Sequence, residues 1–282
     1  MNDAKIFIVG ANGQLGRALQ AKYPNAQSAD IDELDITNRE SVASFDWSKY
    51  DAVLNAAAFT NVDGAETSEG RVAAWKVNAE AVRNLVEAAS QHGFTLVHIS
   101  TDYVFDGTNS NHSEDEALSP LSVYGQSKAA GDLVVQCVKK FYILRTSWVI
   151  GEGKNFVRTM LDLGAKGINP SVVSDQVGRL TFTSELVQAI DHLLVSTAPF
   201  GIYNVTNSGD SVSWAEVTRQ IFTEAKLSNT VTDVTTEDYY KDKDDIAPRP
   251  LQSTLDLSKI QSTGFHSTDW RDDLKKYIQE QA

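Results

Sequence analysis

Apolar positions in the first 150 residues alternate between two patterns. Short, largely apolar runs lie within 5–9, 52–55, 95–99 and 142–146. Runs without a polar face suit strands buried on both sides in a parallel sheet. Between them apolar residues return at helical spacing. Leu15, Ala18 and Leu19 precede Pro24; Val77, Ala81, Leu85, Ala88 and Ala89 share one stripe within 73–92; and 127–138 is a further helical segment. Strand alternating with helix, joined by right-handed crossovers, predicts an α/β fold with a Rossmann-type doubly wound parallel sheet over 1–150.

Beyond 149 the rhythm loosens. Helices are expected at 156–163, 184–195 and 214–225, a strand at 201–205, and an acidic stretch without periodicity at 235–252. Residues 151–282 read mainly as a smaller, interleaved substrate-binding lobe, with segments at about 171–205 returning to the first domain. Trp270, Leu274 and Tyr277 mark a terminal amphipathic helix packed into a core.

Charge narrows the choice of partners. Asp plus Glu number 38 against 25 Lys plus Arg, a net charge of -13 that repels a nucleic-acid backbone. No nucleic acid is expected. One cysteine, Cys137, cannot close an internal disulfide and is expected on a packed helix surface. Residues 1–5 lead straight into a strand, and no apolar run reaches the roughly 20 residues that span a bilayer. The expected setting is soluble, reduced and cytoplasmic, without a membrane, the chain being a monomer or homodimer.

The first strand ends in Gly10-Ala11-Asn12-Gly13-Gln14-Leu15-Gly16, which opens a helix. Glycine permits the tight turn and removes the Cβ that would block a pyrophosphate, which then meets the positive end of the helix. Asp30 and Asp32 stand roughly 20 residues on, where a carboxylate bonds an adenosine ribose. A carboxylate there repels a 2′-phosphate, so NADH is favoured over NADPH; the sequence leaves the choice between the two aspartates open.

Tyr124 and Lys128 stand four apart, which puts them on one face of a helix if the helical turn begins at Tyr124. An unperturbed phenol ionises near pH 10, and a neighbouring cation lowers that value. Tyr124 is therefore a candidate general acid toward an alkoxide. Thr101 follows the strand at 95–99, at the sheet edge where ligands bind, and its hydroxyl suits the same oxygen.

The glycine loop, 55–63, 100–105, Tyr124-x-x-x-Lys128 and 145–151, in that order, resemble the extended short-chain dehydrogenase/reductases, and within them the dTDP-4-dehydrorhamnose reductases. The resemblance covers essentially the whole chain. It implies NADH or NADPH as cofactor and a dTDP-linked 4-keto-6-deoxy sugar as substrate. It implies Tyr124 as proton donor, Lys128 as the residue that orients the nicotinamide ribose and lowers the phenol pKa, and Thr101 on the reacting oxygen. Asp35, Ile36, Ala57, Ala58, Thr60 and Ser100 match positions along the cofactor. Val62, Asp102, Tyr103, Trp148, Asn155 and Arg249 match positions at the sugar nucleotide, while Asp63 reads equally as a helix N-cap or a ligand contact.

The chain also departs from that pattern. Arg179, Leu180 and Thr181 follow the Asp175-Gln176-x-Gly178 motif where a small residue, proline and threonine are usual, so a different turn is expected with the same chemistry. Some relatives hold magnesium with glutamates. Glu185 matches one such position, but Arg17-Ala18-Leu19 stands at another, and no metal is expected. His98 reads as a satisfied core histidine. Two rival readings remain: a nucleotide-sugar dehydratase or epimerase, disfavoured because Tyr103 follows Asp102 where an acidic pair is common, and a regulatory subunit like the methionine adenosyltransferase β subunit, disfavoured by retention of Thr101, Tyr124 and Lys128.

Overall fold

The computed structural model describes residues 2–196 and 198–281. Strands β1 (Ile6–Val9), β2 (Gln27–Ala29), β3 (Ala52–Asn55), β4 (Thr95–Thr101) and β5 (Phe141–Thr146) join the strand Gly201–Asn204 in one six-stranded sheet. The order is β2, β1, β3, β4, β5, then 201–204, and every pairing is parallel. Helices α1 (Gln14–Lys22), α2 (Arg39–Ser44), α3 (Ser68–Trp75), α4 (Ala81–His92) and α5 (Val123–Val135) lie among the first five strands. They are followed by α6 (Phe156–Ala165), α7 (Thr183–Val195), α8 (Trp214–Glu224), α9 (Thr236–Tyr240), α10 (Ser258–Ser262) and α11 (Trp270–Gln281).

The largely apolar runs are explained by cover on both faces. Phe7, Val9, Val53 and Leu96 enter one core with α4, whereas Ile6, Ile8, Leu54 and Val97 enter another with α1 and α7. Successive strand residues point to opposite faces, so both must be apolar. Strand order reverses between β1 and β3, and the loops after these two strands flank the crevice where ligands of doubly wound sheets bind.

Two helix boundaries differ from those expected, and both differences shape the site. The segment expected at 73–92 begins at Ser68, where the Thr67 side chain caps Gly70 N, and is interrupted by a π turn at Lys76–Glu80. That turn buries Asn78, whose amide clamps both the N–H and the carbonyl of Phe59 at 2.9 and 3.1 Å. The helix expected at 127–138 runs from Val123 to Val135. Ser122 caps it through Gly125 N, and Glu66 Oε1 accepts from Val123 N at 2.9 Å, so Tyr124 and Lys128 belong to one rigid element.

A third core, around Ile150, Phe182, Phe222, Trp270 and Leu274, forms beyond the sheet. Of 171–205, Gly201–Asn204 joins the main sheet and α7 packs into the core on one of its faces, whereas Ser171–Val173 pairs with Thr232–Val234 and Val177–Gly178 with Val212–Ser213. The stretch at 235–252 is not wholly aperiodic, since Thr235 caps the short helix α9. Cys137 lies exposed two residues past the end of α5 rather than on its packed surface, because the chain has already left the helix. Among the described residues no helix is long and apolar enough to cross a membrane.

Candidate active site

The glycine loop is shaped by close approach. Gly10 has φ +79°, and a Cβ on it would stand 2.5 Å from Ala57 N; one on Gly16 would stand 2.1 Å from Gly10 O. Gly10 thus lets the loops after β1 and β3 touch, and Gly16 lets α1 pack beneath the turn, behind the ligand space. Gly13, the N-cap of α1, has no side chain to satisfy the first N–H groups of the helix. That uncapped end, with Gly13, Gln14 and Leu15, faces a cleft of about 490 Å³. Backbone N–H groups at a positive helix end, beside a turn that excludes Cβ atoms, fit a dinucleotide pyrophosphate.

A second cleft of about 440 Å³ continues along the outer side, lined by Gly10, Asn12, Gly13, Asp30, Asp35, Ile36, Ala57 and Ala58. Asp30 is fixed there, its Oδ2 accepting from Asn12 N and its Oδ1 from Ile31 N, both at 2.8 Å. Asp32, exposed in the following turn, lines neither cleft. The structure therefore separates the two aspartates that the sequence leaves equivalent. Asp35 is held low by the Thr37 hydroxyl first, 2.6 Å away, and remains ionised.

The larger cleft gathers Thr60, Val62, Ser100, Thr101, Asp102 and Tyr103 with Tyr124, Lys128 and Trp148. Tyr103 and Tyr124 pack edge to face with ring centres 5.6 Å apart. Thr101 Oγ1 accepts from Tyr103 N and donates to Asp102 Oδ1 at 3.0 Å. Burial first, and the Asp102 carboxylate second, hold the Tyr124 phenol above its ordinary value. Burial outweighs the lowering expected from Lys128, whose Nζ donates to Ile99 O at 2.6 Å and whose own pKa desolvation brings down to about 8. A neutral phenol beside an ammonium is poised to give a proton rather than take one.

Asp102 is buried, and burial pushes its carboxyl up to about 6 from 3.8. A carboxyl with a raised folded pKa binds its proton more tightly folded than unfolded, so its contribution to stability is complete below pH 3.8 and is lost as pH rises through 6. Asp102→Asn cannot lose that contribution. Relative to wild type, the variant is expected to gain stability between pH 4 and pH 8 by up to about 3 kcal/mol, one pKa unit being worth about 1.4. Paired urea titrations across that range check it, and a constant difference contradicts it.

Two residues expected at the sugar nucleotide stand elsewhere. Asn155 caps α6 through Arg158 N, and its Nδ2 donates to Gly151 O and to the Tyr277 hydroxyl at 2.7 and 2.8 Å, so its amide serves the loop. Arg249 lines neither cleft and is forked onto Asp63 with both Nη2 contacts at 2.8 Å. Asp63 accordingly makes no capping bond. His98 is half satisfied: Nδ1 accepts from Asn55 Nδ2 at 3.1 Å, Nε2 is buried without a partner, and burial keeps the ring neutral. Arg179 donates to Leu255 O. Glu185 is buried in the first turn of α7, where its Oε2 accepts from Thr268 N, while Arg17 pairs with Glu152. Among the described residues no three His, Cys, Asp or Glu side chains gather into a possible metal site.

Trp214 lines the same cleft and was missed. Its ring stacks on Trp148 at 3.7 Å, and Trp148 adopts a left-handed φ of +48° to meet it. The capping box of Ser213 and Glu216 starts α8 at Trp214, as expected for the helix at 214–225, but nothing local in the sequence aims that ring at the cleft.

Residues 4–282 match the family model described as the RmlD substrate binding domain. The chain is 40% identical to the dTDP-4-dehydrorhamnose reductase of Aggregatibacter actinomycetemcomitans, covering 96% of this chain and 97% of that one. It is 37% identical to the spore coat polysaccharide biosynthesis protein SpsK of Bacillus subtilis, with 99% and 98% covered. Among solved structures, the dTDP-4-dehydrorhamnose reductase of Bacillus anthracis in complex with NADP superposes with a TM-score of 0.88 at 35% identity, covering 98% and 97% of the two chains. The corresponding enzyme of Clostridium acetobutylicum gives 0.89 at 36%, covering 98% and 99%.

Proposed function

The chain belongs to the dTDP-4-dehydrorhamnose reductase family, and from that membership we propose that Tyr124 is the proton donor as the chain reduces the 4-keto group of dTDP-6-deoxy-L-lyxo-4-hexulose to dTDP-L-rhamnose. The observation that carries the residue assignment is the convergence of Tyr124, Lys128, Thr101 and the uncapped end of α1 on one cleft. A bound reduced nicotinamide supplies the hydride. Tyr124 gives its phenolic proton to the carbonyl oxygen as that oxygen gains charge, and the Lys128 ammonium stabilises the phenolate left behind. The bond to Ile99 O holds that ammonium in place. Thr101 orients the oxygen, and the stacked Trp148 and Trp214 give the sugar an apolar wall.

Asp30 supports NADH as the preferred cofactor, because its carboxylate is fixed on the outer cleft and would repel a 2′-phosphate. Arg249 is read as a charge partner of the dTDP diphosphate. Residues 1–150 are taken as the cofactor-binding domain and 151–282 as mainly the nucleotide-sugar lobe. The test is the initial rate of nicotinamide oxidation with enzymatically generated keto sugar, run with NADH and with NADPH. Turnover is expected with both, kcat/KM being higher for NADH. No oxidation with either, by folded protein that binds the nucleotide, overturns the reductase reading; equal or reversed preference overturns the role given to Asp30.

A further inference from the structure

The loop after β3 serves two parts of the molecule at once. Residues 56–58, Thr60 and Val62 line the clefts described above, and Phe59 between them is clamped by Asn78. The next residue, Asp63, leaves the clefts and meets the 236–252 segment. Its carboxylate takes both Nη2 bonds of Arg249 and also accepts from Ala247 N at 3.1 Å. Arg249 Nη1 donates to Ala247 O at 2.9 Å, and its guanidinium lies over the Tyr240 ring at 4.8 Å.

Among the described residues this ion pair links the two segments. Its side chains are 41% exposed at Asp63 and 14% at Arg249. Two of the five guanidinium N–H groups, on Nε and Nη1, have no protein partner among the described residues. Arg249 is thus oriented by Asp63 without being used up by it. Its charge also reaches Tyr103, which lines the catalytic cleft.

We propose that Asp63 is a positioning residue that couples the two ligands: it sets Arg249 to receive the anionic half of the sugar nucleotide, and it does so from a loop whose preceding residues contact the nicotinamide cofactor. One peptide step of about 3.8 Å separates Val62, in the cleft, from Asp63. A cofactor that orders residues 57–62 therefore orders the Arg249 fork, and by reciprocity the nucleotide sugar tightens the cofactor. The proposal rests on the reading of Arg249 as a diphosphate contact.

Calorimetric titration of dTDP, with and without saturating NADH, distinguishes the outcomes. In the wild-type chain NADH is expected to tighten dTDP by roughly fivefold or more. Asp63→Asn is expected to bind dTDP about tenfold more weakly, with no response to NADH and with its own NADH affinity unchanged. In turnover, KM for the sugar nucleotide rises, KM for NADH at saturating sugar rises by the lost coupling factor, and kcat stays within a few-fold of wild type. Asp63→Glu, which restores a carboxylate, recovers part of both effects and serves if the asparagine variant folds poorly. Wild-type dTDP affinity and NADH response in Asp63→Asn overturn the proposal, as does equal weakening of NADH and dTDP, which marks general damage to the loop. Unchanged dTDP binding in Arg249→Ala removes the diphosphate reading itself and the proposal with it.

Discussion

Tyr124→Phe is expected to lower kcat by about a hundred- to ten-thousandfold, the usual worth of a positioned general acid, with little change in stability or in nicotinamide binding. The substitution deletes one hydroxyl and leaves the ring, whose edge-to-face packing on Tyr103 at 5.6 Å depends on its shape. The phenol is also the group whose protonation the site protects, through burial and the adjoining Asp102 carboxylate. Once the hydroxyl is gone, water must deliver the proton to the developing alkoxide without a positioned donor. Single-turnover rates and fluorescence titration with NADH separate the two quantities. A kcat within tenfold of wild type would remove Tyr124 from the mechanism.

The second large effect is expected at Asp132, one turn after Lys128. Its side chain is completely buried and bonds Arg145 Nε at 3.0 Å; Arg145, itself 2% exposed, donates in addition to Glu114 O. Asp132→Asn leaves a buried guanidinium without its counter-charge, an error that typically costs about 3–5 kcal/mol. It has a kinetic companion. Desolvation lowers Lys128 to about 8, and the Asp132 carboxylate is the force pulling the other way. Without that carboxylate the ammonium loses its proton at lower pH, so the alkaline limb of kcat/KM should move to lower pH. Arg145 on β5 and neutral His98 on β4 supply no replacement negative charge. Urea denaturation and a pH profile measure the two effects. An unmoved limb, with stability lost, would confine Asp132 to holding Arg145.

What the sequence disclosed follows from how local each signal is. The run at 5–9 is legible as a strand because cover on both faces demands apolar side chains at every position, and β1 occupies Ile6–Val9. Tyr124 and Lys128 are legible because a four-residue spacing is a local property of a helix. The helix start was misplaced by four residues because its determinants, the Ser122 cap and the Glu66 carboxylate on Val123 N, lie outside the apolar pattern. Asp30 and Asp32 are two residues apart, and what distinguishes them, the bond from Asn12 N and the place of Asp30 on the outer cleft, is not local to the sequence. Asp63 and Arg249 are 186 positions apart, and no periodicity announces that pairing. Asn155 illustrates the opposite failure: an amide suited to a ligand is spent on Gly151 O, Tyr277 and the end of α6.

The π turn at Lys76–Glu80 has a consequence for how this chain can diverge. A π turn is, in effect, a one-residue insertion retained within a helix. Deleting a residue there would restore an unbroken α-helix, and by local helix energetics the deletion would look benign. It would also rotate everything on one side by about 100° relative to the other. Asn78 would swing off Phe59, and its carbonyl would leave Gly131, where a Cβ would already stand only 2.4 Å away. Shortened descendants would keep a helix and lose the clamp on the loop after β3, so purifying selection should tolerate substitutions on the exposed side of 76–80 far more readily than any change in its length.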